Sequence, residues 1–288
     1  MKTRQLYVAA QVGAHLSAML APFGTGAVAQ AMRYGVAGGK RIRALLVMES
    51  ARLHFIPDSR AIWPASGIEA LHAYSLIHDD LPCMDDDDER RGRPTVHVRW
   101  GDAVAVLAGD ALQALAFELT LHPEGAARGS VRAELGLTLA RAAGGQGMVL
   151  GQALDIAAET AAKPLTLDEI SLLQAGKTGA LFEWSAAAGA RMAGADPDRL
   201  IRYARALGLA YQIRDDIIDV TGDARTAGKK LGKDAAAGKA TFVSLLGIEG
   251  ATRRAEALVD VACEALSVYG SEAHCLQQVA RFAISRQG

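Results

Sequence analysis

Apolar positions recur three and four residues apart along most of the chain, as in Leu71, Tyr74, Ser75 and His78 or in Ile201, Ala204, Arg205 and Gly208. Period-two alternation, the mark of a half-buried strand, is scarce. Interruptions fall at Gly38-Gly39, 57–64, 82–94, 122–130, Gly144-Gly145, Lys163-Pro164, 194–197 and 222–238. Each predicts a helix end, because Gly and Pro cannot continue the ladder cheaply. On the order of ten helices result. No internal repeat or low-complexity linker divides the 288 residues, a length sufficient for one large core. The expected fold is all-α, a single domain over 1–288 built as one large helical bundle around a central cleft.

Composition narrows the picture. Half of the residues are hydrophobic and only 5% are aromatic. No uninterrupted apolar run reaches the roughly 18 residues of a membrane span, so the apolar content is assigned to a core and an oligomer face. Lys2-Thr3-Arg4 and Ala27-Val28-Ala29 imitate a secretory leader, yet Gln11, His15 and Ser17 break the stretch that would have to be apolar. Lys plus Arg number 31 against 32 Asp plus Glu, for a net charge of −1. A nucleic-acid partner, which needs a basic excess, is not expected. Cys83, Cys263 and Cys275 are an odd set without ligand spacing, so free thiols, a reducing compartment and a cytoplasmic location are expected.

Two aspartate clusters carry the chemistry: Asp79-Asp80-Leu81-Pro82-Cys83-Met84-Asp85 and Asp215-Asp216-Ile217-Ile218-Asp219. Carboxylates held close together resist joint ionisation, so such sets make sense where a hard cation such as Mg2+ neutralises them. Asp215 and Asp219 are four residues apart and share a helix face. Asp79 and Asp85 are six apart and would diverge on a regular helix, but Pro82 lies between them. Pro82 should end or kink the helix and let a loop carrying Asp85 fold back. Spacing does not choose among Asp85, Asp86, Asp87 and Asp88. An isolated acidic run is more often a solvated loop.

Nearby basic residues change that balance. Arg90-Arg91-Gly92-Arg93-Pro94-Thr95 follows the acids at once, Gly38-Gly39-Lys40-Arg41-Ile42-Arg43 precedes a helical segment, and Lys177-Thr178-Gly179, Lys229, Lys233 and Lys239 recur later. Arg offers a planar fork matched to phosphate and Lys a mobile point charge, so cations and carboxylates together can hold two diphosphates.

The motifs resemble those of the polyprenyl (trans-isoprenyl diphosphate) synthase family, of the bacterial farnesyl diphosphate synthase type. His72 to Pro82, continuing through Arg93-Pro94-Thr95, resembles the first aspartate-rich motif in its bacterial form, with two residues inserted before the last Asp. Gln212-Ile213-Arg214-Asp215-Asp216-Ile217-Ile218-Asp219 resembles the second. The likeness runs from Gly38 to Arg286.

The resemblance implies an isoprenoid synthase fold, with both clusters at the mouth of its cleft, and a homodimer. It implies Mg2+, three per active site with Mn2+ as a substitute. Asp79 and Asp85 would be direct ligands with Asp80 supporting, and Asp215 would hold a further cation with Asp216 and Asp219 nearby. Arg90, Lys177, Thr178, Gln212, Lys229 and Lys239 would grip an allylic diphosphate; Lys40, Arg43, His72 and Arg91 would hold isopentenyl diphosphate. Gln152 and Asp155 would stand behind them. The catalytic set it implies is Asp79, Asp85, Asp215, Lys177, Thr178 and Gln212. Three positions depart from the family pattern: Ala44 in place of Pro, and Phe242 and Val243 in place of Tyr-Pro.

Product length should follow the depth of an apolar pocket below the first cluster. Tyr74 and Ser75 lie roughly 6–8 Å down the helix from Asp79. The helical wheel places Ser75 nearer the Asp79 face, whereas in the family a bulky aromatic at Tyr74 with the insertion goes with a fifteen-carbon product. A lone Tyr in an apolar helix is more often core. Residues 222–238, rich in Lys and Gly, read as a flap ordered by diphosphate or as a solvated loop.

The activity implied is condensation of isopentenyl diphosphate with dimethylallyl or geranyl diphosphate to (2E,6E)-farnesyl diphosphate and pyrophosphate. Geranylgeranyl or geranyl synthesis in the same family is the alternative. A terpene cyclase would not need Lys40, Arg43, His72 and Arg91, and a non-catalytic scaffold would not retain every expected ligand.

Overall fold

A computed structural model describes residues 1–160, 163–221 and 240–286. It separates into two compact units, Met1–Gly136 with Arg191–Gly194, and Leu137–Ala190 with Ala195–Gly288.

The first unit opens with α1 (Lys2–Leu20), whose Val8, Val12, Leu16 and Leu20 form a buried stripe at four-residue spacing. Helices α2 (Ala27–Gly35) and α3 (Ile42–Leu53) follow. Helix α3 is apolar nearly all round and buries Leu45, Leu46, Val47 and Met48 together, the pattern of a helix enclosed by others. Helix α4 (Asp58–Asp79) runs through Pro64, so the break expected across 57–64 is confined to Pro57. Pro64 costs one intrahelical bond near the helix start, and its burial keeps the helix continuous across that gap. A two-stranded antiparallel hairpin, β1 (Glu89–Arg90) and β2 (Arg93–Pro94), follows. The period-two reading misses it because each strand is too short to alternate. Next come α5 (Val96–Trp100) and α6 (Asp102–Thr120), separated by Gly101 alone, at φ +84°.

Helix α7 (Gly129–Ala143) divides between the units at Gly136. The second unit continues with α8 (Met148–Glu159), α9 (Leu167–Gln174), one π-helical turn at Ala175–Gly179, and α10 (Ala180–Ala193). Helices α11 (Asp198–Thr221), α12 (Phe242–Ala265) and α13 (His274–Ser285) complete it. Helix α12 starts at a capping box of Thr241 and Ser244. Its first residue, Phe242, joins Ile170, Ile213, Ile217, Ala251 and Ala255 in one buried cluster. Burying that ring contributes about 2–3 kcal/mol. Tyr203 on α11 donates its hydroxyl to the Leu276 carbonyl at 2.8 Å, tying α13 to α11.

Lys2–Phe23 and Asp102–Thr120 are long and apolar enough in composition to cross a membrane. Counting uninterrupted runs overlooks both because single polar residues divide them. In its own unit, α6 buries Ala105, Ala108, Leu112, Leu115 and Leu119.

Candidate active site

Helix α4 ends where Leu81 and Pro82 interrupt its ladder, and the chain then turns back on itself. Asp85 N–H donates to the Asp79 carbonyl at 2.8 Å, and Asp87 N–H to the Asp80 carbonyl at 3.3 Å. These bonds fold the backbone of Asp85 back to Asp79 and that of Asp87 back to Asp80. Asp86 takes a left-handed conformation at φ +49° to make the turn, a strain of about 1–2 kcal/mol. The loop is also held from outside, as His97 Nε2 donates to the Asp87 carbonyl at 3.0 Å.

Asp80 is buried at 3% exposure and Asp85 is exposed. Arg90 places Nε 2.7 Å and Nη2 2.6 Å from Asp80 Oδ1. Burial pushes the Asp80 carboxyl up while Arg90 pulls it back. Burial also disfavours the Arg90 charge, but Asp80 more than offsets this and the guanidinium pKa rises. Asp80 therefore fixes Arg90 in place.

In the same unit, Gly38 and Gly39 take φ of +76° and +89°, values an L side chain rarely adopts. They lead into Arg41, also left-handed at φ +51°. Arg41 is buried, 3.1 Å from Glu69, and donates to the Val36 carbonyl. Glu69 also accepts from Ala44 N–H at 3.0 Å, so Ala44 supplies a donor that Pro could not. Arg41 is thus structural. Arg91, left-handed at φ +57°, donates to the Ala37 carbonyl at 3.2 Å and lies over Gly39, where a Cβ would come within 3.1 Å of the guanidinium.

The Arg91 pKa is lowered by burial and then by neighbouring arginines. His72 is held well below its ordinary value, first by burial and then by the positive charges of Arg43, Arg91, Arg90 and Arg41. His72 therefore lies, as an uncharged imidazole, in the field of Arg43 and Arg91, arginines suited to a multivalent anion. Lys40 is exposed on the same loop.

Tyr74 is 7% exposed, meets His78 edge-on at 5.4 Å and shares a hydrogen bond with Gln113 of α6. The Ser75 hydroxyl is spent on the His72 carbonyl at 2.9 Å. His78 Nε2 donates to the Val106 carbonyl at 3.1 Å, a helix-packing contact.

The second unit builds around α11. The π turn carries Lys177 and Thr178, and such bulges are frequent at functional sites. A Cβ on Gly151 would lie 1.9 Å from Lys177 N, so only glycine lets α8 approach this turn. Lys177 Nζ is 2.6 Å from Asp155 Oδ2. Thr178 Oγ1 donates to Gln212 Oε1 at 3.4 Å, and Gln212 Nε2 to Asp216 Oδ1 at 3.3 Å. Phe242 N–H donates to Asp216 Oδ2 at 2.9 Å. Asp216, 5% exposed, therefore has both oxygens occupied and anchors the start of α12. Asp215 and Asp219 stay half-buried on the helix. Lys229, Lys239 and the expected flap at 222–238 lie outside the described residues.

Among the described residues, no three His, Cys, Asp or Glu side chains form a ready-made cage. Mg2+ is usually held by one or two carboxylates together with substrate phosphates. The Gln152 amide nitrogen is buried without a hydrogen-bond partner among the described residues, leaving a donor for an oxygen ligand. The carboxylate oxygens of Asp79 and Asp85 in the first unit, and of Asp215 in the second, are hard donors of the kind Mg2+ takes.

Sequence reasoning missed Glu69, Gln113, Tyr34 and Arg286. Glu69 carried a signal, since a lone acid inside the apolar run 65–71 must find a cation if buried. Tyr34 donates to the Pro94 carbonyl at 2.7 Å and stacks under Arg93 at 3.8 Å, pinning the hairpin that presents Arg90 and Arg91. Nothing in the local sequence marks it.

A family model described as Polyprenyl synthetase matches residues 26–277. The farnesyl diphosphate synthase of Escherichia coli (strain K12) is 42% identical over 276 residues, covering 92% of this chain and 91% of that protein. Geranylgeranyl pyrophosphate synthase 9, chloroplastic, of Arabidopsis thaliana is 43% identical over 237 residues, covering 80% of this chain and 66% of that protein. The crystal structure of an FPP/GFPP synthase from Zymomonas mobilis superimposes with a TM-score of 0.89 at 46% identity, covering 98% of each chain.

Proposed function

Because the chain belongs to the polyprenyl synthetase family, we propose that it is a Mg2+-dependent trans-prenyltransferase making farnesyl diphosphate from isopentenyl diphosphate and dimethylallyl or geranyl diphosphate. The observation that supports this reading is Arg91, seated over Gly39 and bonded to the Ala37 carbonyl on the side of Lys40 and Arg43, a basic set for a second diphosphate that a terpene cyclase has no use for.

Asp79, Asp85 and Asp215 would hold the ions, three per active site, with Mn2+ able to replace Mg2+. When bound, Mg2+ would neutralise charge developing on the leaving pyrophosphate. Arg90, fixed by Asp80, and Lys177, fixed by Asp155, grip the allylic diphosphate, with Lys229 and Lys239 assigned to the same group. Thr178 and Gln212 direct their dipoles at the allylic cation. Lys40, Arg43, His72 and Arg91 hold isopentenyl diphosphate so that its double bond meets the allylic carbon. The allylic C–O bond breaks, a C–C bond forms, and one proton leaves the new chain for pyrophosphate.

Tyr74, held by His78 and Gln113, is the proposed stop for chain growth and supports a fifteen-carbon product; the Arabidopsis relative's name favours a twenty-carbon one. We further propose that the two units work as one catalytic domain and that the protein acts in the cytoplasm, where Cys83, Cys263 and Cys275 stay free. A homodimer is proposed through α5 and α6, where Val98, Val106, Leu107 and Leu121 are exposed.

Incubating purified protein with Mg2+, radiolabelled isopentenyl diphosphate and geranyl diphosphate tests the reading. Labelled farnesyl diphosphate is expected. Failure to incorporate label would reject prenyl elongation, and a dominant twenty-carbon product would reject the Tyr74 stop.

A further inference from the structure

Asp215 has a fixed partner at the far end of the chain. Arg286, just past α13, places Nη2 2.7 Å from Asp215 Oδ1; its side chain is 5% exposed and that of Asp215 is 27% exposed. The guanidinium lies 3.7 Å above the Tyr211 ring. Its Nη2 also donates to the Tyr211 carbonyl at 3.0 Å and its Nε to the Ala283 carbonyl at 3.1 Å. The backbone is held too, since Arg214 donates Nε and Nη2 to the Arg286 carbonyl at 3.0 and 2.7 Å.

A buried arginine needs a counter-charge. Among the described residues, Asp215 is the carboxylate that supplies it. Among the described residues only Oδ1 is engaged, which leaves Oδ2 able to meet a cation. Two outcomes are physically open: the guanidinium could compete with a divalent ion for the carboxylate, or it could orient the carboxylate for that ion. Competition requires Arg286 to leave when the ion arrives, and the stack and two carbonyl contacts oppose that movement.

We propose that Arg286 is a positioning residue for Asp215, holding its carboxylate in one orientation with Oδ2 presented to the divalent cation. The inference rests on the prenyltransferase reading, in which Asp215 is a cation ligand. Partners that hydrogen-bond a metal-ligating group typically change metal affinity by about 10–100-fold.

The test is a Mn2+ titration of metal-free protein, followed by electron paramagnetic resonance in the presence of a bisphosphonate, with folding checked by circular dichroism. Arg286→Gln should weaken Mn2+ binding by about 10–100-fold and Arg286→Lys by less. Adding Arg286→Gln to Asp215→Asn should cause no further loss. Unchanged or tighter Mn2+ binding in folded Arg286→Gln, or an equal further loss in the Asp215→Asn background, overturns the proposal. If Arg286→Gln does not fold, Arg286→Lys decides, weaker binding supporting the proposal and unchanged binding overturning it. The titration needs no turnover, so a wild-type protein that binds Mn2+ but incorporates no isopentenyl diphosphate would count against the functional reading alone.

Discussion

At the end of α4 the last aspartate of the cluster returns to the first through a backbone turn, whereas on α11 it sits one helical turn along the same rod. In both clusters the middle aspartate is buried and spoken for, Asp80 by a guanidinium and Asp216 by a backbone N–H and an amide. The difference lies in what each buried acid organises. Asp80 ties the first cluster to Arg90; Asp216 ties the second to the start of α12. Adjacent aspartates in one motif therefore differ in setting, one partly exposed and the next buried and holding the frame.

The largest effect should come from the outward acids. Asp79→Asn and Asp215→Asn should each lower kcat/KM for isopentenyl incorporation by at least about 10²–10³-fold, or about 3–4 kcal/mol; Asp79→Asn should change the melting temperature little, whereas Asp215→Asn also removes the counter-charge of Arg286 and should lower it. Near-normal turnover in either variant would break the parallel between the clusters.

The buried acids should fail differently. Asp80→Asn removes the nearest counter-charge of Arg90, leaving Asp87 at 3.8 Å, and should cost about 1–3 kcal/mol of stability. Asp216→Ala strands the Phe242 N–H and should cost about 1–3 kcal/mol. Urea unfolding checks both, and unchanged midpoints would mean these residues are ligands instead of anchors. Tyr74→Ala should lengthen the product beyond fifteen carbons by chromatography.

The smallest effect concerns pH. The folded-state pKa of His72 lies below its ordinary value near 6.5, so the unfolded chain binds the extra proton first. That contribution to stability is present above about pH 6.5 and is lost as pH falls toward the depressed value. His72→Gln should therefore show a smaller drop in melting temperature than wild type between pH 7.5 and pH 5.5, and parallel curves would remove the arginine field from the account.

Much of this was readable from periodicity and spacing. The helical stripes of α4 and α11, the glycine breaks and the pairing of Asp215 with Asp219 follow from local geometry, which sequence encodes directly. Pro82 likewise predicted a chain reversal, but the bond from Asp85 N–H to the Asp79 carbonyl was not legible, because spacing treats the acidic neighbours alike. Arg41 and Arg43 look interchangeable in the sequence. Only the buried Glu69, 28 residues beyond Arg41, marks Arg41 as the structural one. The partnership of Arg286 with Asp215 spans still more of the chain and depends on packing that no local pattern reports. Phe242 is a related case, a departure from the family pattern that nonetheless fills a core position and donates to Asp216.

Cation uptake induced by diphosphate tests the central claim most directly. Equilibrium Mn2+ binding should be measured with and without a bisphosphonate in wild type, Asp79→Asn and Asp215→Asn. The account predicts three ions per active site in wild type only when the bisphosphonate is present, with ions lost in each variant. Uptake that ignores the bisphosphonate, or that is complete in both variants, would contradict it.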